Sequence, residues 1–304
     1  MIPFILRRLT TLVPMLLAVT LLVFILMSLA PGDFLTPVKA QRDINPALIA
    51  ELQKSFGLDR PWYQQYALWL GNVLHLDFGY SWTYKVPVAQ LIAQRAPATI
   101  LLSITSLLLA WTLAIPLAVL AAARPGGWID RLTSAAAYFA LAIPEFFLAL
   151  LAVWMAARTG WFPIGGLTSL DHDFLSPAAQ FLDIAHHLIL PTLVLGLRGV
   201  AGTLRVLRAN VLDVLQAEYI TAARAKGLSE KVVLFRHVLR NALNPLLSTI
   251  GYAFAGLLSG SLLVENVMNY PGLGRLVYEA FIREDQFVVL GLSLIHISEP
   301  TRPY

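Results

Sequence analysis

Twenty-two consecutive residues, Leu9 to Ala30, carry no charge and follow directly on Arg7 and Arg8. A helix of that length rises about 33 Å, enough to cross a hydrocarbon core of about 30 Å. A cleaved secretory signal also opens basic and turns apolar, but its apolar part runs about 7 to 15 residues and ends at small residues. Pro31-Gly32-Asp33 is not such an ending. The run is expected to be an uncleaved first span with its N-terminus on the cytoplasmic side.

Four further apolar runs are long enough to follow suit: about Thr99 to Ala122, Thr133 to Ala157, Leu188 to Val206 and Leu246 to Val264. With 58% hydrophobic and 13% charged residues, the chain lies far from an ordinary soluble domain. A formal charge of +4 raises nucleic acid as a partner, but the bases lie between spans, so none is expected. The short connection Ala123 to Arg131 is basic, hence inside; Arg158 to His187 carries Asp171, Asp173 and Asp183, hence outside. The assigned inner segments then sum to +8 and the outer ones to −3. The last apolar stretch, Phe287 to Ile297, is too short to cross: as a helix it rises about 16 Å. The expected fold class is all-α, a polytopic membrane helix bundle of five full spans plus a truncated sixth.

Three regions follow. Residues 1–96 are the first span and an outer helical cap, with helical periodicity in Ile44–Gly57 and Pro61–Leu74. Trp62, Tyr63, Tyr66 and Trp69 read as an interfacial aromatic belt rather than a stacking site. Residues 97–291 form the core, with a basic loop at 207–245. Residues 292–304 are a polar, proline-containing tail of foreign character.

The basic loop is the most distinctive stretch. Between Arg198 and Arg240 it holds eight Lys or Arg against three acids. Its pattern predicts two helices meeting at a glycine. The first runs from about Asn210 to Lys226, with Arg224 and Lys226 at the negative end of its dipole and Gly227 as the stop. Ser229 is placed to cap the second, Glu230 sits in its first turn, and Val232, Phe235, Leu239, Ala242 and Leu246 share an apolar face. Arg236, Arg240 and Asn244 fall on another face. A bent amphipathic pair at a membrane surface is a docking device.

TAARAKG followed by a second helix resembles the EAA loop of ABC-importer inner-membrane permeases, whose pattern is Glu-Ala-Ala, three residues, Gly, nine residues, Ile-x-Leu-Pro. Ala222, Ala223, Gly227 and Leu239 match; Thr221 stands for the Glu, and His237 and Arg240 replace the Ile and Pro. ILRRLTTLVPMLLAVTLLVFILMSLAPGD, FGLDRPWYQQYALWL and NYPGLGRLVYEAF agree with the dipeptide, oligopeptide and nickel permeases, and the likeness runs to about Gly291. The resemblance implies the type I importer permease fold in a bacterial inner membrane. It implies a second homologous permease subunit, two cytoplasmic ATP-binding subunits and an extracytoplasmic solute-binding protein as partners. It implies ATPase coupling through Thr221, Ala222, Ala223, Arg224, Lys226, Gly227, Leu239 and Arg240, with peptides as cargo and nickel complexes as the alternative.

Of residues suited to chemistry, Glu145 stands mid-span after Pro144. A carboxylate at that depth costs at least about 2.5 kcal/mol. Either it lines a path where it meets a substrate amine or cation, or it is protonated and bonded to a carbonyl freed by Pro144. A secondary transporter using Glu145 is the reading from another class, but no internal repeat supports it. A membrane-anchored structural subunit without a path is the third. His172, His186 and His187 read as a solvated outer loop, not metal ligands. Pro271-Gly272-Leu273-Gly274 lacks the Gly-Lys-Ser/Thr ending, and no phosphate-loop motif, nucleophile elbow or cysteine occurs. No enzyme activity, cofactor or metal is expected, and the energy for transport has to come from a partner.

Overall fold

The computed structural model describes residues 2–29, 54 and 60–297. The helix expected over Ile44–Gly57, apart from Lys54, lies outside the described residues, as do 298–304 of the tail.

In chain order the helices are α1 (Ile2–Leu29), α2 (Trp62–Val73), α3 (Val88–Ala123), α4 (Trp128–Ala142), α5 (Glu145–Thr159), α6 (Pro177–Leu215), α7 (Glu218–Ala225), α8 (Glu230–Val232), a π-helix (Val233–Val238), α9 (Leu239–Ala242), α10 (Asn244–Ser248), α11 (Ile250–Gly260), α12 (Leu262–Val267), α13 (Leu273–Ile282) and α14 (Gln286–Ile297). The described sheet is one short antiparallel pair, β1 (Tyr80–Ser81) and β2 (Val86–Pro87), in register Tyr80 to Pro87 and Ser81 to Val86. The chain is all-α.

Among the described residues, four stretches are long and apolar enough to cross a membrane: Leu12–Leu29, Val88–Ala123, Pro177–Leu215 and Ile250–Val267. The fifth span therefore sits a few residues later than Leu246–Val264. The third, expected as one helix over Thr133–Ala157, is a pair, α4 and α5, bent by 94°. The cause is local. A residue before proline is pushed out of the α region, and Ile143 is extended at φ −83°, ψ 127°, so α4 ends at Ala142 and α5 restarts after Pro144.

The fold divides into two compact units. The first gathers the chain to Pro97 with Gly272 onward, so the 272–291 segment groups with the N-terminal region rather than with the core. Here α2 is fastened to α1: Thr20 Oγ1 lies 2.9 Å from the Tyr66 hydroxyl, and Phe24 meets the Tyr66 ring edge-on at 5.5 Å. Trp69 is buried and its Nε1 donates to the Phe78 carbonyl, whereas Trp62 and Tyr63 are exposed. Two of the four expected belt aromatics thus serve as packing. α14 buries Val288, Leu290 and Leu292 beside α1 and α13. A polar clasp holds the hairpin to α13: the Tyr84 hydroxyl donates to Glu279, which also accepts from Arg275 Nε at 2.7 Å. Burial first, then the hydrogen bond to Glu279 and its charge, push the Tyr84 hydroxyl up to about 12. Burial raises the Glu279 carboxyl, but the bonds from Tyr84 and Arg275 and the charge of Arg275 outweigh it and leave it below the usual range.

The second unit, Ala98–Pro271, holds most of the span-forming helices. α3 and α6 approach closely: a Cβ on Gly199 would stand 3.0 Å from the Ala110 Cβ, and one on Gly196 only 2.7 Å from Leu109. Small residues of this kind are how helices pack tightly where lipid offers no hydrophobic drive. α6 has 39 residues, about 58 Å of helix, so it outruns a bilayer core. Its last turns carry Arg205 and Arg208 into the segment described next.

Candidate functional site

The basic loop folds as an elbow, with two departures from its expected grammar. The first elbow helix starts at Glu218, not Asn210, because α6 continues to Leu215 and the chain turns at Gln216-Ala217. That turn has neither Gly nor Pro; it lets Ile220 and Ala223 drop onto the core, where both are buried. Asn210 belongs to α6 and its Nδ2 donates to the Ala242 carbonyl, tying α6 to the second arm. Gly227 is the stop, at φ +76° with its N–H donating to the Arg224 carbonyl at 2.9 Å. A Cβ there would meet nothing within 4 Å, so conformation alone asks for glycine.

Ser229 occupies the N-cap position of α8 but makes no side-chain capping bond. The corner is held by Arg224, whose Nε and Nη2 donate to Glu230 at 2.8 and 3.2 Å. The second arm then contains a π-helix. Its i→i+5 bonding places residues five apart on one face. Val233 and Val238 are both fully buried, followed by Ala242 and Leu246, while Val232 and Phe235 turn outward, Phe235 at 63% exposure. The expected apolar face began one residue off, since an α-helical period cannot anticipate the wide turn.

Ile220, Ala223, Val233, Val238 and Ala242 share one apolar cluster with Ala114, Ala118 and Ala122 of α3, Ala137 of α4, and Leu204, Leu207 and Val211 of α6. The elbow is thus set into three spans. Of the residues matched to the loop pattern, Ala223 points into this cluster and Leu239 is half-buried. Thr221, Ala222, Arg224, Lys226, Gly227 and Arg240 are exposed.

Several bases of the run have partners. Arg208 grips Asp130 with Nε and Nη2 at 2.5 and 2.7 Å, and the same carboxylate accepts from the Gly126 N–H at 2.8 Å. Arg205 stacks over Tyr138 at 4.6 Å. Lys226, Lys231, Arg236 and Arg240 are exposed and have no acid within ion-pair distance among the described residues.

Glu145 lies at the Pro144 break as the first residue of α5, and its Oε1 is 3.3 Å from Arg198 Nε of α6. Its partner is thus a guanidinium. The pair borders a cavity of about 390 Å³ within the second unit, walled by α3, α6, α11 and the segment before it. Leu107, Trp111, Leu195 and Leu257 supply apolar wall, and Gly199 and Gly256 supply room. Ser106 also lines it; the residue is 1% exposed and its Oγ has no hydrogen-bond partner. Neither Arg198 nor Ser106 was picked out in the sequence as a partner of Glu145. A base ten residues before Arg208 on α6 was the one available signal.

His186 is exposed as expected, but His172 and His187 are less solvated. His172 Nδ1 lies 2.8 Å and His187 Nδ1 3.3 Å from the Asp183 carboxylate, and His187 is buried. With the Ser169 N–H on the same carboxylate, this is a clasp that ties the 169–174 loop to α6.

A family model described as the binding-protein-dependent transport system inner membrane component matches residues 114–297, and its N-terminal companion matches 1–103. The chain belongs to that family. Among similar proteins, this permease is 39% identical to the oligopeptide transport system permease protein AppB of Bacillus subtilis, with 97% of its length and 92% of the relative's aligned. It is 35% identical to the di/tripeptide transport system permease protein DppB of Pseudomonas aeruginosa, over 95% and 90% of the two lengths. The dipeptide transport system permease protein DppB of Escherichia coli is 33% identical over 97% and 92%. The permease is a multi-pass membrane protein of a family of ABC-importer membrane components, which are not enzymes.

Proposed function

We propose that this permease is one membrane subunit of an ATP-driven peptide importer in the bacterial inner membrane, with its N-terminus inside. Its partners are a second homologous permease, two cytoplasmic ATP-binding subunits and an extracytoplasmic solute-binding protein. The names of the relatives support the peptide cargo. The observation that carries the coupling role is the elbow's construction. An exposed corner with unpaired bases is rooted, through Ile220, Ala223, Val233 and Val238, in the cluster shared by α3, α4 and α6. A push on the corner therefore acts on three spans at once. Thr221, Ala222, Arg224, Lys226, Gly227 and Arg240 form the contact surface; Ala223 and Leu239 fix it to the bundle. Glu145 lines the path.

The test is charge reversal at Arg224 and Lys226 in the reconstituted complex. Exposed ion pairs are worth about 0–1 kcal/mol, so losing the Arg224–Glu230 bond leaves the chain inserted and folded. Uptake is expected to collapse while the permease still purifies. Normal uptake by the double reversal would remove the elbow from the coupling role.

A further inference from the structure

We infer that the Glu145–Arg198 pair is a binding site for the two charged ends of a small zwitterionic solute, Glu145 receiving its ammonium and Arg198 its carboxylate. This rests on the reading of the permease as a peptide importer and names where in the chain the cargo is held.

The geometry has four parts. The closest approach of the pair is 3.3 Å, with Arg198 half exposed and Glu145 about a quarter exposed. Among the described residues no hydrogen bond joins the two, so both groups keep bonding capacity for a ligand, whereas Arg208 and Asp130 are locked by two hydrogen bonds and a backbone N–H. Both groups open on the same cavity, whose roughly 390 Å³ falls in the lower part of the range for small-ligand sites, about 300–1,000 Å³. A further polar group there, the buried Ser106 Oγ, which has no hydrogen-bond partner among the described residues, can bond an amide between the ends. The remaining wall is mostly aliphatic or glycine, with Trp111 and the uncharged Thr203 and Thr249, and accepts varied side chains.

Charge selects the ligand class. Within a span, an uncompensated ion is costly, and removing one partner of an ion pair strands the other. A lone cation or anion inserted between Glu145 and Arg198 leaves the cavity with a net charge. A zwitterion leaves it neutral: one internal ion pair becomes two, and each charge keeps a counter-charge. A free dipeptide has this balance; one acetylated at its amine or amidated at its carboxylate does not.

The experiment uses the assembled transporter in proteoliposomes with the solute-binding protein omitted, so that its selectivity does not intervene. The probe is a dipeptide with a photoreactive side chain, offered free, N-acetylated and C-amidated, and labelled peptides are mapped by mass spectrometry. The free form is expected to label the α11 wall near Ala253 and Gly256, each blocked form at least about tenfold less, a difference of about 1.4 kcal/mol. Glu145→Gln should relax discrimination against the acetylated form only, and Arg198→Gln against the amidated form only. A misfolded cavity would not produce that crossed pattern. The double Glu145→Gln/Arg198→Gln variant, checked by size-exclusion profile, controls for folding and should discriminate against neither. Equal labelling by all three forms, or loss of both discriminations together in each single variant, would overturn the assignment. Dipeptide uptake by the full transporter with no cavity labelling would also overturn it and leave the importer reading standing. No dipeptide uptake at all would overturn both.

Discussion

Gly227 isolates backbone conformation from packing, which makes it the sharpest place to perturb the elbow. It sits at φ +76° in open space, so a new side chain clashes with nothing and the cost is that of holding an L-residue in the left-handed region. That cost is about 1–2 kcal/mol for an ordinary residue, and Asn visits the region most readily. Gly227→Asn should be nearly silent, and Gly227→Ala should reduce the population of the bent elbow by about 5- to 30-fold if nothing else held it. The arms, however, are anchored independently by Ile220, Ala223, Val233 and Val238, so a loss of only a few-fold is expected. Gly227→Pro differs in kind. Proline fixes φ near −65° and has no N–H, so both the turn and the bond from Gly227 N–H to the Arg224 carbonyl disappear. Proteoliposomes holding the whole transporter would be assayed for ATP hydrolysis and peptide uptake together. The expected order of uptake per ATP is Gly, Asn, Ala, then Pro, with Pro lower by at least about tenfold, or about 1.4 kcal/mol. If Gly227→Pro couples as well as Gly227→Ala, the bend does not transmit the stroke.

Phe235 is 63% exposed on the elbow, so Phe235→Ser should leave thermal stability unchanged within about 0.5 kcal/mol and weaken pull-down of the ATP-binding subunits. Val238 is fully buried, so Val238→Ala should lower stability by about 1–2 kcal/mol, read as a drop in detergent melting temperature. The Tyr84 hydroxyl is raised, so the stability it adds is complete below the ordinary tyrosine pKa and is lost as pH climbs toward about 12. The lowered Glu279 carboxyl contributes above the ordinary Glu pKa and loses its contribution as pH falls. Melting curves of Tyr84→Phe against the parent should converge at the alkaline end and diverge near neutrality.

Membrane class, most of the long apolar helices and the glycine stop were legible because each depends on neighbours along the chain: uncharged length and a left-handed residue after a cationic turn. What the sequence could not reveal depends on partners far along it. Pro144 breaks a span while Pro14 and Pro191 remain inside α1 and α6, and the residue type alone does not distinguish the three. The π-helix moved burial from Val232 and Phe235 to Val233 and Val238 because the second arm packs against α6 and α7. Glu145 announced itself by its depth, but its meaning depends on Arg198, which had been counted simply as one more base.

α6 carries two ion pairs that clamp opposite ends of the same helix. Arg208 holds Asp130 in the first turn of α4, and Arg198 holds Glu145 just past its end. The ten-residue step from Arg198 to Arg208 spans about 15 Å, and the fifteen residues of α4 about 22 Å, so elbow and cavity are linked by a braced pair of helices. Sites this far apart normally combine additively within about 0.3–0.5 kcal/mol. If α4 carries displacement from the elbow to Glu145, Asp130→Asn and Glu145→Gln should fail to add: slackening either end already frees the other. A double-mutant cycle on uptake per ATP should then show a coupling term beyond about 0.5 kcal/mol, with the double variant no worse than the poorer single one. Coupling requires evidence of this kind rather than mere adjacency. Full additivity would mean that the two clamps hold α4 in place independently, and that the elbow reaches the cavity through the tight α3–α6 contact at Gly199 instead.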